Sequence, residues 1–584
     1  MAAGKQKKRQ KKAAPQDRGS GPPVQRADPA ARLESRLTPR VRLLLVAGLL
    51  SAIALVRILY LAEFGQFVFQ SGDTKFFINY AKAITAGDLF LRGQSLLFSP
   101  LYAYFLAAVF TVAGENYLWV LVVQYGLSIL SAYLLYRLSR DLFGTLAGLC
   151  TLALYLFYSL ILVFDSQLLD TVFSVLLPSA ALLLLHRAPI TGRLRQWFGA
   201  GIVLGLFALT RPNVMLFFPL AAAWAFWAGG AGKALARRLV PAAMVTVGAA
   251  LCILPFTVRN WVVTGEPVLI TAHGGINFYV GNNENATGFF TPPHGMPPLP
   301  GIFNLAVPRR VAEMQSGRTG LSDSEVSDYW FKRGTAWIRE NPGDFLALTW
   351  KKTRAYFNGY EVSLNFDFNY LRQISWSLKI AFLPLAVLLP LGLAGMALSL
   401  RWWRTHLLFT MFFFSYSASV ILFFITARYR LPVVPLLLVY GGFTLRTLVA
   451  WLGRPARLAI LIVALVLSGV LLNTDLGIYF QPSLVTHSQA YMLECMGRID
   501  EAVAKYELSL RQDRTLGLSH LHLARIHARQ GDNERAMNHY RAALQLAPGD
   551  QTLQRELNLF EAHLRSQAGQ GPLAPAGAPG GAAR

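Results

Sequence analysis

The chain has 584 residues, 54% of them hydrophobic and 15% charged, with a mean hydropathy of +0.39. That composition excludes a soluble globular protein of this size and points to a polytopic membrane protein. The formal net charge of +24 does not indicate a nucleic-acid binder, because the basic residues sit in short clusters between apolar runs, as cytoplasmic loops do.

Residues 1–40 are rich in Lys, Arg, Pro, Gly and Ala, open with KQKKRQKK, and cannot build a core. They read as a disordered basic tail that keeps the N-terminus in the cytoplasm, and they are too polar for a signal peptide. Apolar runs long enough to span follow at 41–61, 118–137, 145–163, 167–185, 198–211, 213–229, 239–257, 374–399, 406–425, 431–450 and 458–474. A shorter run, 99–113, decides the sidedness of everything after it. If it lies at the outer face, Arg137/Arg140, Arg187/Arg193/Arg195, Lys233/Arg237/Arg238, Arg401/Arg404 and Arg454/Arg457 all fall inside with the basic tail. If it crosses, every cluster flips outward. The first solution predicts about eleven spans, a cytoplasmic N-terminus and an outer C-terminus. Cys150, Cys252 and Cys495 are far apart and suggest neither a disulfide framework nor a metal site.

This threading gathers polar groups at one boundary. Asp73 and Asp88 lie in an outer loop, 62–117, that reads GDTKFFINYAKAITAGDLFLRGQSLLFSPLY over 72–102. Asp165 and Asp170 follow the third span in FDSQLLD. Arg211 ends the fifth in LTRPN, Arg259 the seventh in TVRNW, and Arg428 and Arg430 lie in TARYRLP. A carboxylate beside a membrane exit is suited to chemistry. Guanidiniums grip phosphate oxygens in a bidentate manner, and a carboxylate accepts the proton of an attacking hydroxyl or amine. Each residue also has a plainer role: an arginine at a span end is often a snorkelling anchor, Asp170 fits a helix N-cap, and Asp88 fits a turn.

Residues 258–373 form a hydrophilic insert. VLIT is strand-like, GGINFYVGNNENATG suggests tight turns, and helices are expected from about Ser322 and through DFLALTWKKTRAYFNGYE. The insert reads as a small outer α+β domain, a lid in which His273, Asn277 and Asn282 either contact substrate or shape turns. NAT at 285–287 fits a glycosylation acceptor pattern. After the second membrane module, 374–477, residues 483–565 become soluble and helical with a 34-residue period. Gly497, Ala502 and Tyr506 recur as Gly531, Ala536 and Tyr540, followed by Ala543 and Pro548. These are two tetratricopeptide repeats with a closing helix near 551–565, a short module for contact with a protein partner or the chain's own outer domain. Residues 566–584 form a Gly/Ala/Pro tail. The expected architecture is thus an α-helical polytopic membrane protein, split into modules 41–257 and 374–477, with a small outer α+β loop domain and a C-terminal α-solenoid.

The stretches GDTKFFINYAKAITAGD, SPLYAYFLA, FDSQLLD, LTRPN, GGINFYVGNN, IRENPGDF with YFNGYE, and ARYRLPVVP follow one another in an order that resembles the GT-C class of membrane glycosyltransferases. The resemblance is to family-39-like enzymes, relatives of protein O-mannosyltransferases and aminoarabinose transferases, here fused to tetratricopeptide repeats. It implies a polyprenyl-phosphate-linked sugar donor and transfer at the outer face of a bacterial inner or plasma membrane. It maps the first-loop acid onto Asp73, the second-loop aspartate onto Asp165 or, less well, Asp170, and the basic residue of a late Arg-Tyr motif onto Arg428. Thr74 stands where several relatives carry a second acid, and no lysine precedes Pro100. These departures leave the exact donor open and do not settle whether a divalent metal takes part. The implied reaction is inverting transfer to a protein, lipid or glycan acceptor. Asp73 is the base, Asp165 orients the acceptor or ligates a metal, and Arg211, Arg259, Arg428 and Arg430 steady the departing phosphate. The alternatives are a transporter or flippase for lipid-linked sugars, a glycan polymerase or ligase, and a non-catalytic scaffold.

Overall fold

The computed structural model describes residues 28–65, 73–92, 96–229, 234–266, 268–291, 305–362, 367–476, 482–547 and 550–567. Most of the basic tail and the Gly/Ala/Pro tail therefore lie outside the described residues, as does most of the Pro-rich 291–301 stretch. The chain begins with α1 (Pro29–Arg36) and the long apolar α2 (Pro39–Phe64). Then come α3 (Asp73–Thr85), α4 (Pro100–Ala113), α5 (Tyr117–Phe143), α6 (Thr145–Phe157), α7 (Ser159–Asp165), α8 (Thr171–Thr191) and α9 (Leu194–Ala208). The first module closes with α10 (Phe218–Gly229) and α11 (Leu235–Thr264). Among the described residues eight segments are long and apolar enough to cross a membrane, and two of them, Leu385–Ile421 and Ala427–Ala450, each contain two α-helices. The shorter apolar helices α6 and α9 fall on two further expected spans.

Helix α4 has 14 residues. At 1.5 Å per residue it is roughly 21 Å long, short of the ~30 Å hydrocarbon core, and it packs on α3 and α5. The expected span 145–163 is interrupted at Tyr158, whose backbone is extended, so that the Leu383 N–H donates to the Phe157 carbonyl at 2.8 Å. Small residues set the tightest helix contacts. Gly201 and Gly205 of α9 sit against the α11 backbone, where a Cβ would collide with the carbonyls of Val245 and Ala249.

The insert between the membrane modules carries α12 (Gly274–Gly281), α13 (Ala306–Ser316), α14 (Asp323–Glu340), α15 (Pro342–Tyr356) and α16 (Phe368–Ile374). The helix expected from Ser322 is present with a full capping box: Ser322 Oγ accepts from the Glu325 N–H, and Glu325 accepts from the Ser322 N–H. The α+β expectation is corrected, because no strand forms among the described residues and only isolated bridges occur. VLIT is held in turns because Asn260 Nδ2 donates to the Val268 and Ile270 carbonyls at 2.8 and 3.0 Å, taking up groups a strand partner would use. GGINFYVG is helical, and its glycines serve close approach: a Cβ at Gly275 would strike the Ser327 carbonyl, and one at Gly281 the Phe423 carbonyl.

A short helix, α17 (Ser377–Ile380), leads into α18 (Leu385–Ser399), α19 (Trp403–Ile421), the one-turn α20 (Ala427–Arg430), α21 (Val434–Ala450) and α22 (Pro455–Leu472). Only Leu461 of α22 is buried, as befits a helix at the lipid-facing edge. The C-terminal repeats form as expected: α23 (Pro482–Cys495) pairs with α24 (Ile499–Gln512), α25 (Gly517–Gln530) with α26 (Asn533–Leu546), and α27 (Gln551–Gln567) closes the stack. Gly497 and Gly531 take positive φ (+76° and +80°) at the inter-helix turns. Tyr506 and Tyr540 are buried between the helices. The module docks on the end of the insert, with Gln489 Nε2 donating to Asp367 and the Lys505 ammonium 5.3 Å from the Tyr370 ring centre.

Candidate active site

Four elements converge on one buried charged cluster. Asp73 opens α3, Asp170 stands just before α8, Arg211 follows α9, and Arg428 lies in α20. Each is placed by local chemistry. Pro212 disfavours helical backbone at Arg211, which is extended (φ −136°, ψ 87°) and so ends α9 there. Thr426 caps α20 by accepting from the Tyr429 N–H at 3.3 Å. The insert pins the same segment: Ile425 N–H donates to Gly288 O at 3.0 Å and Ala427 N–H to Val362 O at 2.8 Å. Ser99 Oγ donates to Leu209 O at 2.8 Å, tying the start of α4 to the Arg211 turn.

Arg428 forms an ion pair with Asp73, the two side chains being 7% and 8% exposed. Arg211 Nη2 pairs with Asp170 Oδ1 at 2.7 Å while its Nε donates to Ser174 Oγ at 3.1 Å. The Tyr429 ring links the pairs, with its centre 5.3 Å from the Arg428 guanidinium carbon and 5.6 Å from that of Arg211. Asp170 also feels the charges of Arg428 and Asp73, so the four groups act as one electrostatic unit. Asp170 occupies an N-cap position, yet its side chain makes no cap hydrogen bond; the ion pair to Arg211 takes it instead.

The other expected site residues are engaged elsewhere. Asp165 turns into a separate network: its Oδ2 pairs with Arg57 Nη2 at 2.7 Å and accepts from Ser128, which also contacts the Tyr155 hydroxyl at 2.7 Å. Asp165 thus answers a buried guanidinium in the helix core, apart from the Asp73 cluster. Arg430 is engaged in a third pair, with Nη2 2.8 Å from Glu361 and the guanidinium donating to the Asn358 and Tyr360 carbonyls. Arg259 donates to the Phe90 carbonyl at 2.7 Å and to that of Leu91, clamping the turn after Asp88. Asp88 is a turn residue, as expected, accepting from the Arg92 N–H at 2.9 Å. His273 is buried edge-on to Phe98, and Asn277 lies within α12. Asn282 does not face a substrate: its Nδ2 donates to the Phe278 and Leu422 carbonyls and its Oδ1 accepts from Lys352 Nζ at 3.0 Å.

Three contributors escaped the sequence reading. Arg57 interrupts the first long apolar run, and an ionisable residue there was a readable signal. Lys352 is wholly buried in the insert, where desolvation lowers its amine to about 7. In sequence it is one of several ordinary helix lysines and carries no signal. Tyr429 was visible only as part of the Arg-Tyr motif. Among the described residues no group of three or more His, Cys, Asp or Glu is arranged to hold a metal ion. The acids of the cluster are each taken by a guanidinium, so this donor set does not fit a metal as it stands.

Residues 98–258 match the family model of dolichyl-phosphate-mannose-protein mannosyltransferases, and residues 517–550 match the tetratricopeptide repeat. The chain is thus similar to membrane mannosyltransferases in one segment and to tetratricopeptide proteins in another. These two matches agree with the resemblance and the C-terminal repeats read from the sequence. Among solved structures, the chain is similar to the Archaeoglobus fulgidus oligosaccharyltransferase tethered with an acceptor peptide containing the NVT sequon (16% identity, TM-score 0.40, 80% of this chain and 59% of that one). It is also similar to the archaeal oligosaccharyltransferase AglB from Archaeoglobus fulgidus in complex with an inhibitory peptide and a dolichol-phosphate (14% identity, TM-score 0.40, 78% and 59%). The chain spans less than two thirds of the length of these structures. No match was found among curated proteins.

Proposed function

We propose that the chain is an integral membrane glycosyltransferase that moves a sugar from a polyprenyl-phosphate donor to an acceptor at the extracytoplasmic face. The observation that carries this reading is the buried cluster of Asp73, Asp170, Arg211 and Arg428, with acids and guanidiniums gathered at helix ends. The mannosyltransferase match over 98–258 supports it, since that segment includes Asp170 and Arg211. In the reaction, Asp73 takes the proton of the acceptor nucleophile as it attacks the anomeric carbon. The bond to the phosphate oxygen breaks on the opposite face, and configuration inverts. Arg428 and Arg211 stabilise the charge that grows on the departing lipid phosphate. Arg57 and Asp165 hold the helices that carry the loop, and Arg430 with Glu361 holds the turn that carries Arg428. The repeats provide a surface for an acceptor-side protein partner beside the outer insert.

The test uses the purified full chain in nanodiscs with a panel of polyprenyl-phosphate hexoses and pentoses. Asp73→Asn is expected to lose about 10²- to 10⁴-fold in turnover, the contribution of a positioned base. Donor should still bind. Unchanged turnover in that variant, or movement of intact lipid-linked sugar across the bilayer without its release, would end the proposal.

A further inference from the structure

The cluster has a feature that the transfer reaction alone does not require. Two guanidiniums lie near one tyrosine ring, 5.3 and 5.6 Å from its centre, both buried, and each is closed by a carboxylate of the same chain. The two positive and two negative charges cancel within the unit. Carboxylate and phosphate oxygens compete for the same guanidinium N–H edges. The Arg428 Nε–H has no hydrogen-bond partner among the described residues, although the side chain is buried. Arg57 and Arg430 leave the same atom unmet; at Arg428, whose ring neighbour Tyr429 is shared with Arg211, that N–H can take one more acceptor oxygen than Asp73 supplies.

We infer that Arg428 and Arg211, spaced by Tyr429, form a seat for the donor phosphate that Asp73 and Asp170 plug at rest, so that the arriving phosphate displaces Asp73 from Arg428 and thereby frees it. This rests on the reading of Asp73 as base and of the donor as a lipid phosphate. The consequence is an enforced order. Before the donor arrives, Asp73 is held by a guanidinium and its oxygen is taken. After it arrives, phosphate oxygens occupy that guanidinium edge and the released carboxylate is open to the acceptor. The proton it accepts is the one the acceptor nucleophile loses. Acceptor activation is thereby tied to donor occupancy, which protects the site from acting on acceptor alone. Asp170 plays the lesser part, keeping Arg211 engaged until phosphate oxygens replace it.

The inference makes a counter-intuitive demand: removing the proposed base should improve donor-site binding. Affinity is measured with undecaprenyl phosphate as probe, on the full chain in nanodiscs, with inorganic phosphate as a second arm that separates headgroup recognition from the lipid tail. Asp73→Asn should bind the lipid phosphate about tenfold more tightly than the unchanged protein, the equivalent of about 1.4 kcal/mol. Asp73→Glu, which keeps the plug, should stay near the original affinity, and Arg428→Gln should lose about tenfold or more. Asp170→Asn should also bind more tightly, and it carries the test if Asp73→Asn does not fold. Tighter binding of inorganic phosphate as well would place the gain in the headgroup seat. Equal or weaker binding of lipid phosphate by folded Asp73→Asn or Asp170→Asn overturns the inference. If Asp73→Asn loses turnover while its affinity is unchanged, the plug fails and the base stands. If it keeps turnover yet binds more tightly, the base fails and the plug stands.

Discussion

Asp165 offers the sharpest separation of structural from chemical roles, because sequence resemblance implies chemistry while the fold pairs it with Arg57. Asp165→Asn keeps size and shape and removes only the charge. In the native protein the Arg57 and Asp165 atoms are 2.7 Å apart with both side chains at most 3% exposed. At that separation and an effective dielectric of 20 their attraction is about 6 kcal/mol, most of it offset by the cost of taking both ions out of water. Removing one partner strands the other, and such changes cost about 3–5 kcal/mol. That is about two to four orders of magnitude in the ratio of folded to unfolded protein. Thermal unfolding in nanodiscs should show the loss. Turnover per folded molecule should stay within a few-fold of the original. The double replacement Arg57→Met with Asp165→Leu should recover most of the stability, because no buried charge is left unanswered. A folded, equally stable Asp165→Asn protein whose turnover collapses would refute this reasoning and return Asp165 to the chemistry.

Lys352 gives a pH signature. Its folded-state value of about 7 lies below the ordinary lysine value of 10.5, so between these limits the unfolded chain holds a proton that the folded chain has released, and stability rises with pH across that window. Lys352→Met should flatten the rise, which is on the order of 4 kcal/mol in full, at the expense of about 1 kcal/mol for the Asn282 oxygen left without its donor; unfolding midpoints from pH 7 to 10 check this. Gly281→Ala should destabilise by about 1–3 kcal/mol and reduce turnover, because the new methyl meets the Phe423 carbonyl five residues before Arg428. Gly274→Ala, at a position with open space, is its control and should be neutral. In the repeats, burial together with His520, His527 and Arg535 holds His539 down to about 4. His539 is thus neutral when folded, and stability there should fall as pH drops from about 6.5 toward 4. Hydrogen exchange in α25 and α26, corrected for its intrinsic pH dependence, should show this opening, and His539→Gln should remove it.

The membrane character, the apolar helices, the helix start near Ser322 and the paired repeats were all legible in the sequence. Each follows from local composition or from a period that one segment carries alone. Gathering Asp73, Asp170, Arg211 and Arg428 at one boundary was legible too, since hydropathy and charge asymmetry fix which helix ends share a side. Which charge answers which was not. Asp165 and Asp170 are five residues apart in one loop, yet one answers Arg57 from α2 and the other Arg211 beyond α9. Arg428 and Arg430 are two apart, yet one meets Asp73 and the other Glu361. A pairing between residues 41 to 355 positions apart depends on how helices rotate and close on one another, and no local pattern encodes that rotation. The same holds for GGINFYVG, whose glycines read as turns until Ser327 and Phe423 are seen pressing on them. The sequence by itself determined the kinds of helices and the charges at their ends; tertiary packing alone decided which of those charges are free for a substrate and which hold the protein together.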